Sequence, residues 1–152
     1  MSHIYVGYGD YGLEGVDEEL IQFVFDIVIS LVKLHPDSEA GLVLATDKQM
    51  QEVNKKYRGK DSVTNILSFA YNETTPKEFQ TPEDKHYIGD IFICKSQLKK
   101  DAKAEGASDK EKFIHLLAHG LLHLAGIHHE TDKDTLKMEG LEDKVIQLAL
   151  SE

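Results

Sequence analysis

The spacing of apolar residues alternates along this chain between a strand-like period and a helical one, and each change marks an element. His3 to Val6 reads as a short strand. Leu20, Phe23, Val24, Ile27, Val28 and Leu31 recur at helical spacing, which predicts a largely buried helix. It begins at Asp17, a capping residue followed by two glutamates, and stops near His35, ahead of Pro36. Ala40 to Ala45 (AGLVLA) predicts a buried strand. Thr46 and Gln49 have capping-box spacing, Met50, Val53 and Tyr57 follow on a helix, and Gly59 is placed to end it. Ser62 to Tyr71 (SVTNILSFAY) and Tyr87 to Cys94 (YIGDIFIC) predict two more strands, with Gly89 a bulge or a point of close approach. Between them Asn72 to His86 is a polar loop carrying Pro76 and Pro82, long for a compact domain.

A short helix is expected from about Ser96. Ser108 and Glu111 form a second capping-box pair, opening a helix that runs to Ala125 with Gly126 as its stop. Thr131 starts a last amphipathic helix with Leu141, Val145 and Leu148 on one face. No repeat, low-complexity tract or linker interrupts the pattern, so residues 1–152 are expected to form one domain. Interleaved strands and helices around one core predict an α+β or α/β fold with a small mixed sheet.

Composition narrows the class. At 41% hydrophobic over 152 residues the chain can bury a real core. Its single cysteine, Cys94, permits no internal disulfide and reads as a small apolar core residue at the end of a strand. The first residues show no basic stretch followed by an apolar run, and the apolar stretch around residues 20–34 is broken by Asp26 and Lys33. A soluble, cytoplasmic protein with no membrane partner is expected. The net charge of −10 argues against broad, non-specific nucleic-acid binding, although a local basic patch can sit on an acidic body.

The candidate chemistry is concentrated in HGLLHLAGIHH, where His119 to His129 hold four of the chain's eight histidines. His119 and His123 lie one turn apart on one helical face, Gly126 turns the chain, and His129 can return as a third ligand. Three imidazoles with an open position are the ligand set of a catalytic zinc site, whereas a structural site is usually closed by four protein ligands. Zinc, one ion per chain, is therefore the expected cofactor, although imidazoles also accept other transition metals. The spacing matches the extended zinc-protease motif H-E-x-x-H-x-x-G-x-x-H, but Gly120 stands where proteases carry their glutamate base. His115, His128 and Asp90 are candidates for groups that orient a ligand or move a proton. A second constellation, Lys55, Lys56, Arg58 and Lys60, is basic within an acidic chain. Arg58, where a helix gives way to a turn, can offer a planar fork to a phosphate.

Taken in order, YRGKDSVTNILSF, IGDIFIC and HLLAHGLLHLAGIHH resemble the YbeY family of bacterial endoribonucleases, from about Leu42 to Glu142. The family form of the histidine motif is H-G-x-L-H-L-x-G-Y-D-H; here Ile127-His128 replaces Tyr-Asp, and Ala70 replaces the proline after Ser-Phe. The resemblance implies an α+β fold, a small, mostly parallel sheet with one antiparallel strand, surrounded by about five helices. It implies zinc on His119, His123 and His129, with Arg58 as a functional arginine close to the metal cleft. It also implies metal-dependent cleavage of single-stranded RNA in ribosomal RNA maturation, including processing of the 16S 3′ end, and in ribosome quality control. The partners implied are rRNA and the ribosomal subunit or its associated proteins. In such a reaction His119 is a catalytic as well as a ligating residue, Arg58 stabilises phosphate charge, and Lys55, Lys56 and Lys60 hold the RNA backbone. The identity of the general base stays open, as do two other readings: a different zinc hydrolase of protease type, and a non-enzymatic ribosome-assembly factor with structural zinc.

Overall fold

The computed structural model describes residues 1–7, 12–71, 86–127 and 130–151. Among these the chain order is β1 (His3–Gly7), α1 (Glu18–Val32), β2 (Glu39–Ala45), α2 (Asp47–Arg58), β3 (Ile66–Ala70), β4 (Tyr87–Cys94), α3 (Lys95–Glu105), α4 (Asp109–Leu124) and α5 (Asp132–Leu150). The sheet order is β1-β2-β4-β3; β1, β2 and β4 are parallel, and β3 runs antiparallel on the β4 edge. This is the α+β architecture the sequence led us to expect, a mostly parallel sheet with one antiparallel strand and five helices among the described residues. No helix among them is long and apolar enough to cross a membrane.

The period of two along the strands divides the core. Ile4, Ala40, Leu42, Leu44, Ile91 and Ile93 face the main helical layer, where they pack with Phe25 of α1 and with Phe113, Leu117 and Leu121 of α4. On the opposite face Val43, Leu67 and Phe92 pack with Met50 of α2 and with Ala45 and Cys94. Cys94 is fully buried there, and its thiol donates to the Asp47 carboxylate at 3.2 Å, in keeping with a core role. Helix α2 is fixed by its capping box: Thr46 Oγ1 accepts from the Gln49 amide, and Gln49 Oε1 accepts from the Thr46 amide. Gly59 closes it in the left-handed region at φ 69°.

Two boundaries and one buried face differ from the pattern-based expectation. Helix α1 ends at Val32, because Lys33 adopts a left-handed conformation and the Leu34 amide closes onto the Ile29 carbonyl before Pro36 is reached. Strand β3 starts only at Ile66. The residues before it are tied down instead: the buried Asn54 amide donates to the Ser62 carbonyl at 2.9 Å, and Asn65 donates to Asp101. On α5 the buried stripe is Met138, Glu142, Val145 and Ala149; Leu148 is 42% exposed. Leu141 and Val145 of the expected face do pack against the core, but the buried stripe is shifted away from Leu148, and that shift carries Glu142 inward.

Gly89 is both things its sequence context suggested. Glu39 pairs with Tyr87 and Ala40 with Gly89, so Ile88 is bulged out of the ladder. At φ 143° a Cβ on Gly89 would lie 2.2 Å from the Phe69 carbonyl oxygen, so only glycine fits against β3.

Candidate metal centre

Helix α4 is capped by Ser108, whose hydroxyl accepts from the Glu111 amide at 3.1 Å. Glu111 does not return the bond to the cap's backbone, so the pair is capped from one side only among the described contacts. From Lys112 to Leu124 every residue is buried except His115, His119 and His123. The three histidines therefore form one stripe, each four residues from the next, and that stripe is the helix's opening to solvent. The helix ends in a Schellman turn: the Gly126 amide bonds the His123 carbonyl at 3.0 Å, the Ile127 amide bonds the Leu122 carbonyl at 2.9 Å, and Gly126 has φ 91°. The chain thus reverses immediately after His123. His128 and His129 lie outside the described residues.

Glu142 of α5 reaches the same stripe. Its carboxylate stands 2.5 Å from His119 Nδ1 and 3.3 Å from His115 Nε2, and it is 5% exposed. Burial alone would push this carboxyl up; hydrogen bonds from His115 and His119 outweigh burial and bring it down to about 2. It is therefore an anion near neutral pH. With Nδ1 engaged by Glu142, Nε2 is the nitrogen of His119 suited to a metal ion. A carboxylate behind a ligand imidazole is the usual device for fixing its tautomer and raising its basicity. Helix α4 thus supplies His119 and His123 as two nitrogen donors a turn apart, with a buried anion behind the first, and these groups fit a divalent cation. His115 shares Glu142 with His119, an arrangement compatible with a supporting role behind the ligands.

Sequence reasoning missed Glu142. The signal was present: a carboxylate at the 138, 142, 145, 149 spacing of an apolar stripe needs a buried partner.

Gly120 follows His119 but faces the sheet. A Cβ there would meet Ile91 Cδ1 at 3.0 Å and Ile66 Cδ1 at 3.1 Å. A glutamate side chain at this position would be driven between two isoleucines, so the protease arrangement has no room for its base.

Arg58 ends α2 on the other side of β3. Its guanidinium donates to the Ser68 carbonyl at 3.0 Å and lies 4.7 Å from the Phe69 ring centroid. Ile66, at the start of the same strand, packs toward Gly120. Arg58 and the histidine stripe therefore approach β3, the sheet's edge strand, from its two faces, with no histidine among Arg58's described partners. Lys55, Lys56 and Lys60 are all exposed beside it. Asp90 is elsewhere. It alternates with Ile91 and so lies on the face away from α4, where the Tyr87 hydroxyl donates to it above Gly41. The structure does not bring Asp90 to the histidines, and desolvation followed by the Asp90 hydrogen bond raises the Tyr87 phenol well above its ordinary value.

A separate group, His35, Asp37 and His86, holds its ligand-type atoms within 4.8 Å and could hold a metal ion. As arranged, the two rings stack 3.8 Å apart with 13° between planes, and His35 Nδ1 accepts from the Asp37 amide. Ligation there would require the rings to turn, because an imidazole binds a cation in its own plane.

The family profile described as Endoribonuclease YbeY matches residues 14–149. The chain belongs to this family. The match takes in α1, so it extends well ahead of Leu42, where the resemblance read from the sequence begins. Endoribonuclease YbeY of Acinetobacter baylyi is 35% identical over 127 residues, covering 83% of this chain and 79% of that relative. Endoribonuclease YbeY of Chelativorans sp. is 32% identical over 142 residues, covering 93% and 85%. The solution structure of TM1509 from Thermotoga maritima superposes with a TM-score of 0.63 at 25% identity, over 99% of this chain and 90% of that one.

Proposed function

We propose that this YbeY-family chain is a zinc-dependent endoribonuclease of single-stranded RNA, acting in the cytoplasm in rRNA maturation, 16S 3′-end processing and ribosome quality control, as one domain over residues 1–152. The observation that carries the metal reading is the buried Glu142 carboxylate, 2.5 Å from His119 Nδ1. His119 and His123 would hold the ion, with His129 as the third ligand. When bound, the ion would lower the pKa of a water and polarise a phosphoryl oxygen.

The chain's own residues do the rest. Glu142 keeps His119 in one tautomer and orientation. Arg58, pinned by Ser68 and Phe69, presents a fixed positive charge for the phosphate on which charge develops. Lys55, Lys56 and Lys60 hold neighbouring phosphates, which concentrates the cationic surface in a chain of net charge −10. An overall acidic protein with one basic strip binds free RNA weakly, which suits delivery to its substrate by a ribosomal subunit or an associated protein.

The test is cleavage of a single-stranded oligoribonucleotide by wild type and Arg58→Ala, with bound zinc measured in both. We expect zinc to be retained and kcat to fall about 100-fold, the usual scale for losing one charge-stabilising donor. Equal cleavage by the two proteins would remove Arg58 from the reaction. Peptide hydrolysis without RNA cleavage would favour the protease-type hydrolase instead. Zinc needed for folding, with rRNA processing indifferent to Arg58, would favour the assembly factor.

A further inference from the structure

Two tyrosine side chains are exposed among the described residues: Tyr5, 52% exposed, and Tyr57, 50% exposed. Their surroundings are opposite. The Tyr5 hydroxyl donates to Glu39, which sits near the Tyr87–Asp90 pair, so phosphate is repelled there. Tyr57 lies within residues 55–60, a stretch of four cations and no acid. Its ring stands on buried Phe69, centroids 5.2 Å apart and tilted by 54°. Lys56 Nζ lies over the Tyr57 ring, 5.1 Å from its centroid, on an exposed, flexible side chain that an incoming base would displace toward its phosphate. The Arg58 guanidinium stands on the same Phe69 ring at 4.7 Å. Consecutive residues of a helix normally diverge; here both side chains lean on one aromatic floor, which sets a half-exposed ring beside a planar cation.

We propose that Tyr57 is a base-stacking residue: one nucleotide of a single-stranded RNA lays its base on the Tyr57 ring while its phosphate meets Arg58 and Lys56. Stacking is tolerant of sequence, because every base has a π-face, and it demands an unpaired base. It therefore supplies a preference for single strands that phosphate contacts alone cannot give. The inference rests on the nuclease reading proposed above, with Arg58 as its phosphate-binding group.

The chain contains no tryptophan, so Tyr57→Trp creates a single indole reporter at the site. The probes are a ten-nucleotide 2′-O-methyl RNA, which resists cleavage, and an abasic strand of equal length and charge. Expected results are quenching of the Tyr57→Trp fluorescence by the base-bearing strand and not by the abasic one, with affinity for the base-bearing strand about ten-fold weaker in Tyr57→Leu. Leucine keeps apolar packing on Phe69, and Tyr57→Phe should bind as wild type. Undiminished binding by Tyr57→Leu together with an unquenched indole, in a protein that still cleaves RNA, overturns the stacking role and leaves the nuclease reading standing. A wild-type protein that neither binds nor cleaves RNA overturns both.

Discussion

Replacing Glu142 tests whether the buried carboxylate serves a metal site or merely ties α5 to α4. In Glu142→Leu the two bonds to His115 and His119 disappear, but the histidine side chains are 37% and 33% exposed and can turn to water. Removing the anion also removes its own burial cost, so the metal-free protein should lose only about 1–2 kcal/mol. The effect on metal should be larger in proportion. Loss of the group behind a ligand histidine typically lowers affinity about 10–100-fold, or about 1.4–2.7 kcal/mol. Glu142→Gln keeps an oxygen to accept from His119 Nδ1 and should fall near the lower end. Zinc affinity read by competition with a chromophoric chelator should therefore rank wild type, then Glu142→Gln, then Glu142→Leu. Denaturant melts in excess chelator separate this from folding. Equal zinc affinity in all three proteins, with only the metal-free melts displaced, would refute the argument and reduce Glu142 to an interhelix tie.

Other outcomes follow from neighbouring geometry. Gly120→Glu should not create a peptidase; it forces a carboxylate against Ile66 and Ile91 and should cost about 3–5 kcal/mol in a denaturant melt. Gly89→Ala should cost about 2–5 kcal/mol, because the new Cβ meets the Phe69 carbonyl and the backbone sits at φ 143°. A melt within about 0.5 kcal/mol of wild type would show that the bulge yields easily. Asp47 is held below its ordinary value of 3.8, first by the Ser96 hydroxyl and then by the Cys94 thiol. A lowered folded-state pKa gives stability that is present above the unfolded value and lost as pH falls through that range. Melting temperature should then drop less steeply below about pH 4 in Asp47→Asn than in wild type; parallel acid limbs would contradict the assignment.

Much of this was legible in the sequence because local chemistry and global packing agree. Thr46–Gln49, Asp17, Gly59 and Gly126 act as their spacing indicates, since caps are decided within a few residues. The spacing of His115, His119 and His123 on one face survives intact as the solvent-facing stripe of α4. What escaped depended on rotation and on partners distant in sequence. Apolar spacing on α5 was compatible with two adjacent stripes, and choosing the one with Leu148 hid Glu142. Asp90, adjacent to a core isoleucine, was one residue out of phase with the face that carries the site. Arg58 was visible as a cation at a helix end, but its seat on Phe69 joins residues eleven apart on two elements and needed the fold. His128 and His129 lie outside the described residues, so the third ligand rests on the motif.

The most direct test of the central claim measures zinc content and RNA cleavage together in wild type and His123→Ala, purified identically, on one single-stranded RNA. The account predicts that both zinc and cleavage fall in the variant while the fold is retained. Equal cleavage by the two proteins would contradict it, because the activity would then not depend on the histidine stripe of α4.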